Sequence, residues 1–192
     1  MSVWVSGMCY YETTGVIHLL NSNGIVTRNF RAGSSLCSGD ILIICFSSVP
    51  LLGWWRYLKL TQWVANRYDV QLIIICPENV YCSGVIRGRN MVAINGEREL
   101  FQLTLELLPI VQNFSRKGGK EHHQKYMWSV FQEKASQALS ISPSSETDVI
   151  RARKAYSQRS LMLQHLGFAT LLKLRVFMAG ENLMRSPPDL GT

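Results

Sequence analysis

Residues 40–45, DILIIC, and residues 70–75, VQLIII, are two apolar runs with little polar alternation. Strands of this composition are buried on both faces, which is typical of a parallel sheet covered by helices on either side. Apolar patterning predicts five strands, at residues 3–6, 25–29, 40–46, 70–76 and 91–95. The sequence therefore predicts a small doubly wound α/β domain over residues 1–112.

Helical spacing of apolar residues lies between these strands, around residues 16–20, 54–63 and 100–108, and we expect Pro109 to bend or end the third helix. Residues 30–39 are too few for a full helix. A polar, basic stretch with a Gly pair predicts a linker at 113–121. Beyond it we predict an all-helical domain at 122–186, with helices at 122–132, 134–139, 147–165 and 170–184, and a tail at 187–192.

The net charge of +7 is concentrated in the second part of the chain. Residues 1–114 hold eight Lys and Arg against seven Asp and Glu, whereas residues 115–192 hold twelve against six. A basic helical part favours a polyanionic partner, nucleic acid being the usual one. A solvated basic face is the alternative that charge alone leaves open.

The five cysteines are odd in number and never spaced as CxxC, which favours a reducing compartment without structural zinc. The first residues lack the basic start and apolar run of a signal peptide, and no apolar run is long enough to span a bilayer. We expect a cytoplasmic protein with no membrane contact, no cofactor and no small-molecule ligand.

Four stretches carry a resemblance to a known family: VWVSGMCYYETTGV (3–16), DILIIC followed by Gly53, LIIIC (72–76) and MVAIN (91–95). The first domain resembles the receiver domain of bacterial response regulators, which is flavodoxin-like. The whole chain resembles their receiver-plus-helix-turn-helix class, the LuxR or NarL/FixJ type. The resemblance implies a phosphotransfer site at the carboxyl ends of the strands.

Position by position, this phosphotransfer set is missing. The acidic pair falls on Gly7 and Met8, and Cys45 stands at the phosphoacceptor position. Cys76 replaces the Thr or Ser, and Ala93 or Asn95 replaces the Lys. Because Mg²⁺ needs carboxylate oxygens and phosphoryl transfer needs cationic stabilisation, we predict a degenerate receiver that is not phosphorylated and binds no metal.

A reactive role for Cys45, as redox sensor or as nucleophile of a small α/β enzyme, is an alternative to a buried inert thiol. No His or Lys lies near it in sequence to lower its pKa, and the chain shows no nucleophile–base–acid set. We therefore predict an inert thiol and a protein that is not an enzyme.

Two later stretches, ASQALSISPSS (135–145) and KAYSQRSLMLQHLGF (154–168), resemble the LuxR-type DNA-binding domain. ATLLKLRVFMAGENL (169–183) resembles the fourth helix of that domain, which usually carries the dimer contact. From Ile141 to Gly167 the chain is longer than the family spacing by about the nine residues SETDVIRAR (145–153). Either the recognition helix starts early or the turn is rebuilt.

The predicted recognition helix is basic. Its candidate DNA-binding residues are Arg151, Arg153, Lys154, Ser157, Gln158 and Arg159. Arg and Lys neutralise phosphates, and Gln and Arg can contact base edges in the major groove. The apolar side is predicted to comprise Leu161, Met162, Leu163 and Leu166.

These features predict a phosphorylation-independent transcriptional regulator that binds promoter DNA as a homodimer or as a heterodimer with another regulator. Residues 1–24 and 87–103 further resemble the atypical capsule and fimbrial regulators of enterobacteria. The competing hypothesis is a protein-binding antagonist that sequesters a related activator and binds DNA only weakly. The inserted SETDVIRAR segment favours this second hypothesis.

Overall fold

The structure is a computed structural model, and it describes residues 1–86, 88, 90–114, 125–141 and 149–185. Within these ranges it describes all side chains except those of residues 53, 55, 125–130, 132, 149–152 and 179–185. Among the described residues, no helix has both the length and the apolar composition that crossing a membrane requires.

Five parallel strands form one sheet in the order β2-β1-β3-β4-β5. The strands are β1 (Val3–Gly7), β2 (Thr27–Asn29), β3 (Ile41–Cys45), β4 (Gln71–Cys76) and β5 (Met91–Asn95). The two apolar runs form the neighbouring strands β3 and β4. The predicted five-stranded parallel sheet is therefore confirmed, with strand ends within two residues of those expected.

The helices are α1 (Tyr10–Ser22), α2 (Trp54–Arg67), α3 (Glu78–Ser83), α4 (Leu100–Phe114), α5 (Lys125–Ser140), α6 (Val149–His165) and α7 (Leu171–Arg185). A 3-10 turn (Leu51–Gly53) precedes α2. As expected, residues 30–39 form no helix. The short helix α3 was not predicted, because its six residues are too few to display a periodic apolar face.

Successive side chains of β3 alternate between two hydrophobic clusters, one on each face of the sheet. Leu42 and Ile44 belong to a cluster that includes residues of α2 and α3. Ile41, Ile43 and Cys45 belong to a cluster that includes residues of α1 and α4. Every residue of β3 is buried, as expected for a strand covered on both faces.

The C-terminal helices share the first of these clusters with the sheet. Phe131 of α5, Phe168 before α7 and Phe177 of α7 pack together with ring centroids 5.4–6.3 Å apart. All three belong to the same cluster as Leu42 and Trp54. The C-terminal helices therefore add to the cover of one face of the sheet.

Pro109 was expected to bend or end the third predicted helix, and it does not end α4, which continues to Phe114. The prediction of two helices at 122–132 and 134–139 is wrong for residues 125–139, which belong to one helix, α5, because no Gly or Pro interrupts residues 125–140. Residues 122–124 lie outside the described residues. Most of the predicted linker, 115–121, and the tail, 187–192, lie outside the described residues.

Asp40, the residue before β3, connects the start of β3 to the start of β1 by side-chain hydrogen bonds. Its carboxylate accepts hydrogen bonds from the Ser2 amide at 2.6 Å, the Trp4 indole Nε1 at 3.0 Å and the Cys37 amide at 3.1 Å. Burial alone would raise the pKa of Asp40, but these hydrogen bonds outweigh it and lower the pKa below its ordinary value of 3.8. The ionised carboxylate therefore stabilises the fold.

Replacing this carboxylate is expected to destabilise the protein. Asp40→Asn should lower the free energy of unfolding by about 1.5–3 kcal/mol at neutral pH, since hydrogen bonds to a charged group are lost. Because the folded pKa is depressed, the difference should shrink as pH falls below the ordinary carboxyl value. Urea denaturation at several pH values measures it.

Asp69→Asn is the matched control for this prediction, because Asp69 is exposed and its carboxylate accepts one hydrogen bond, from Ser38 Oγ. We expect a change of about 0.5 kcal/mol or less. Equal effects of the two substitutions at neutral pH would contradict the role given to Asp40.

Candidate functional site

The carboxyl edge of the sheet brings together the residues that the family resemblance assigns to phosphotransfer. Gly7 ends β1 and pairs with Cys45, the last residue of β3. Cys76 ends β4 and pairs with Asn95, the last residue of β5. These four residues therefore lie at the ends of their strands, as predicted. Of the two candidates in β5, Asn95 is the one at the strand end.

Gly7 has no space for a side chain. A Cβ atom placed on it would lie 2.7 Å from the Cys45 carbonyl oxygen and 2.8 Å from both Cys45 Cβ and Thr13 Oγ1. The neighbouring Met8 is exposed. An acidic side chain at position 7 would therefore require β1 and β3 to move apart.

Both cysteines at the strand ends are buried. Burial, and to a smaller extent the Glu12 carboxylate, raises the pKa of the Cys45 thiol far above its ordinary range. Burial likewise raises the pKa of Cys76 to about 12, and its Sγ donates a hydrogen bond to the Ile94 carbonyl at 3.6 Å. Because the thiolate is the reactive form, neither thiol is placed to act as a nucleophile.

Glu12 is a carboxylate at this edge that sequence analysis did not single out. One oxygen accepts hydrogen bonds from the Ser47 amide at 3.1 Å and from Ser47 Oγ at 2.7 Å, and the other accepts one from Ser48 Oγ at 3.2 Å. Glu12 lies in the first turn of the helix that follows β1. This position in the sequence could have indicated that its carboxylate lies near the carboxyl edge of the sheet.

The residues present do not fit a magnesium ion. The Glu12 carboxylate is engaged by the loop after β3, and no cluster of three or more His, Cys, Asp or Glu that could hold a metal occurs in the described part of the chain. Mg²⁺ binding in such sites rests on carboxylate oxygens, which this edge lacks at Gly7 and Cys45.

The first turns of α7 lie beside the same edge. A cleft of about 340 Å³ lies between the first turns of α7 and the carboxyl edge of the sheet. On the α7 side it is lined by Leu172, Lys173 and Val176. The residues on the other side include Ser47, Val49, Leu51, Pro77, Asn79 and Glu97. The carboxyl edge therefore faces the C-terminal helices.

Helix α6 carries the predicted DNA-binding residues. It runs without interruption from Val149 to His165, so the last five residues of the inserted segment are helical. The rest of that segment, 145–148, lies outside the described residues. The helix contains four Arg or Lys residues and no Asp or Glu.

Four of the six predicted residues share one exposed surface. Arg153, Lys154, Ser157 and Gln158 are all exposed. At about 100° per residue they span an arc of roughly 140° on α6. The side chain of Arg151 lies outside the described residues. We call these four residues the basic face of α6.

Arg159 lies apart from this face. It is half-buried, its Nη1 donates a hydrogen bond to the Ile141 carbonyl at 3.3 Å, and its guanidinium lies 5.6 Å from the Tyr156 ring centroid. It therefore links α6 to the residue that follows α5, and it does not lie on the exposed surface that the other four residues share.

The predicted apolar side of α6 is correct in part. Leu163 and Leu166 are buried and Met162 is half-buried, but Leu161 is 58% exposed. Leu161 lies three and four residues from Gln158 and Ser157, so it adds an apolar group to the basic face. Because Leu161 is hydrophobic, the sequence analysis placed it on the buried side of α6.

Comparison with solved structures shows which known fold this chain resembles. A solved structure of two RcsB dimers bound to two parallel DNAs is similar to this chain, with a TM-score of 0.50 and 13% sequence identity, and the match covers 94% of this chain and 98% of that one. The chain has a response-regulator-like fold. No protein-family model and no curated protein matches it significantly.

Thiol labelling tests the inertness of Cys45. In the native protein we expect the exposed Cys37 and Cys82 and the half-buried Cys9 to react with iodoacetamide. Cys45 and Cys76 should react at least about a hundredfold more slowly, because burial and a raised pKa remove the thiolate. Peptide mass spectrometry quantifies each site.

In denaturant all five cysteines should be labelled at similar rates, which controls for intrinsic reactivity. Native labelling of Cys45 as fast as that of Cys82 would show a reactive thiol and would contradict its inert role.

Proposed function

We propose that this chain is a bacterial transcriptional regulator that binds promoter DNA through the basic face of α6. The observation that carries the proposal is the exposure of Arg153, Lys154, Ser157 and Gln158 on one surface of a helix that contains no acidic residue. The response-regulator-like fold, shared with a protein solved in complex with DNA, supports it.

In this mechanism α6 enters the major groove of DNA. Arg153 and Lys154 neutralise phosphates, which supplies most of the affinity and makes it sensitive to salt. Gln158 and Ser157 can hydrogen-bond to base edges, and Leu161 can contact a thymine methyl group. Arg159 acts as a positioning residue that holds α6 against the end of α5.

The proposed regulator works without phosphorylation. Support comes from the carboxyl edge of the sheet, where Gly7 has no room for an acidic side chain and the buried Cys45 occupies the phosphoacceptor position. Control then comes from protein abundance and from the choice of partner. In this proposal the chain is not an enzyme, uses no cofactor and works in the cytoplasm.

The proposed partner is a second copy of the chain or another regulator. Leu174 and Phe177 of α7 are fully buried within the chain, so they are not free for a dimer contact. We place that contact on α1 and α4, where Tyr10, Tyr11 and Phe101 are exposed. The finer resemblance, to the capsule co-regulator RcsA and the fimbrial regulator FimW, suggests a role in expressing surface structures.

The exposed apolar residues of α1 and α4 also favour the second candidate function, a protein-binding antagonist. Tyr11 of α1 and Leu100 of α4 line one groove, of about 180 Å³, and both are exposed. An antagonist would occupy a related activator through this groove and bind DNA weakly. Gel shifts with the purified chain alone and with a related activator added separate the two functions. The regulator shifts the duplex by itself, whereas the antagonist shifts it weakly or not at all and removes the shift of the activator.

Charge removal on α6 tests the proposed regulator. Arg153→Gln combined with Lys154→Gln should weaken binding to a short mixed-sequence duplex at least about tenfold, because hydrogen bonds to charged groups contribute on the order of 1.5 kcal/mol each. The slope of log affinity against log salt should fall by up to about 1.8. Fluorescence anisotropy titrations over a range of salt concentrations measure both.

The control is Arg56→Gln combined with Arg67→Gln, which removes the same charge from exposed positions on α2. This control should leave the affinity and the salt slope close to those of the unmodified chain. If both double variants weaken binding equally, net charge rather than the basic face of α6 governs binding.

A further inference from the structure

The C-terminal helices and the α/β domain meet along a seam. By the seam we mean the contacts of the turn at Gly167 with α3 and the contacts of α7 with α2 and with the turn Leu51–Gly53. Because the seam continues the core of the sheet, its properties decide whether the two parts can separate.

The backbone at Gly167 lies directly against the backbone of α3. A Cβ atom on Gly167 would lie 2.5 Å from both the Cys82 carbonyl carbon and the Ser83 amide nitrogen. Gly167 also has a φ of +73°, a conformation that costs little only for glycine. The approach is therefore backbone to backbone, and any side chain at position 167 would push the turn away from α3.

Helix α7 contributes the apolar part of the seam. Leu174 and Phe177 have no exposed surface, and they cluster with Trp54 and Leu58 of α2. Burial of large apolar side chains stabilises a packed arrangement. Opening the seam would expose these residues and the α2 residues that they cover.

The basic face of α6 is free while the seam is closed. Leu163 and Leu166, near the carboxyl end of α6, are buried in the shared cluster. Arg153, Lys154 and Gln158, in the preceding turns, are exposed in the same structure. Binding through this face therefore requires no release of the C-terminal helices.

We propose that the seam is permanent, so that the α/β domain and the C-terminal helices unfold as one unit and the closed chain is the form that binds DNA. The second half of this proposal rests on the proposed function, whereas the first half does not. The receiver-like domain then serves as a rigid support for α6 in place of a phosphorylation switch.

Hydrogen exchange of the full chain, followed by mass spectrometry, tests the seam with Gly167→Ala. The added methyl group should separate the turn from α3, and peptides of α2, α3 and α7 should together exchange at least about tenfold faster. Gly24→Ala is the matched control, because Gly24 has a φ of +78° but nothing within 4 Å of its added Cβ.

In Gly24→Ala only peptides around the end of α1 should exchange faster. A milder variant, Phe177→Leu, covers the case in which Gly167→Ala does not fold. It should also accelerate exchange in α2 and α7 together. Faster exchange confined to the turn or to α7, with α2 unchanged, would overturn the proposal.

Duplex binding by the same variants tests the second half. Phe177→Leu and Gly167→Ala should bind a mixed-sequence duplex as tightly as the unmodified chain or more weakly. Tighter binding would show that the closed seam is inhibitory and would overturn the proposal. If the unmodified chain binds no duplex, the proposed function fails while the exchange experiment still decides whether the seam is permanent.

Discussion

The central strands β3 and β4 are apolar on both faces, and the arrangement of the rest of the chain follows from the need to cover both. Helices α1 and α4 cover one face. On the other face α2 is joined by the six-residue helix α3, and residues 30–39 supply no helix. The C-terminal helices complete this cover with Phe131, Phe168 and Phe177, which share one cluster with Leu42 and Ile44. The second part of the chain is therefore a component of the core.

Close packing and hydrogen bonds also fix the carboxyl edge of this response-regulator-like fold. At the carboxyl edge, Gly7 lies against the Cys45 backbone, Cys45 is buried, and Glu12 accepts its hydrogen bonds from Ser47 and Ser48. Each of these features stabilises the edge by direct contact. The end of α6 packs into the shared cluster through Leu163, while Arg153 in an earlier turn is exposed.

The sequence predicted the sheet well because the apolar runs at 40–45 and 70–75 are short and rich in β-branched Ile, which favours a strand covered on both faces. It did not predict how the side chains of α6 are oriented. Arg159 is half-buried and Leu161 is exposed, since the direction in which a helix packs depends on its tertiary neighbours. Residues that act through long-range contact were not predictable. The backbone contact of Gly167 with Cys82 and the hydrogen bonds of Glu12 with Ser47 join segments distant in sequence.

Calorimetry of the unmodified full chain tests most directly the claim that the C-terminal helices belong to the core of the sheet. If they do, heating should produce a single transition in which the calorimetric and van't Hoff enthalpies agree, as for one cooperative unit. Two separate transitions, or a calorimetric enthalpy well above the van't Hoff value, would show that the two parts unfold independently and would contradict the account.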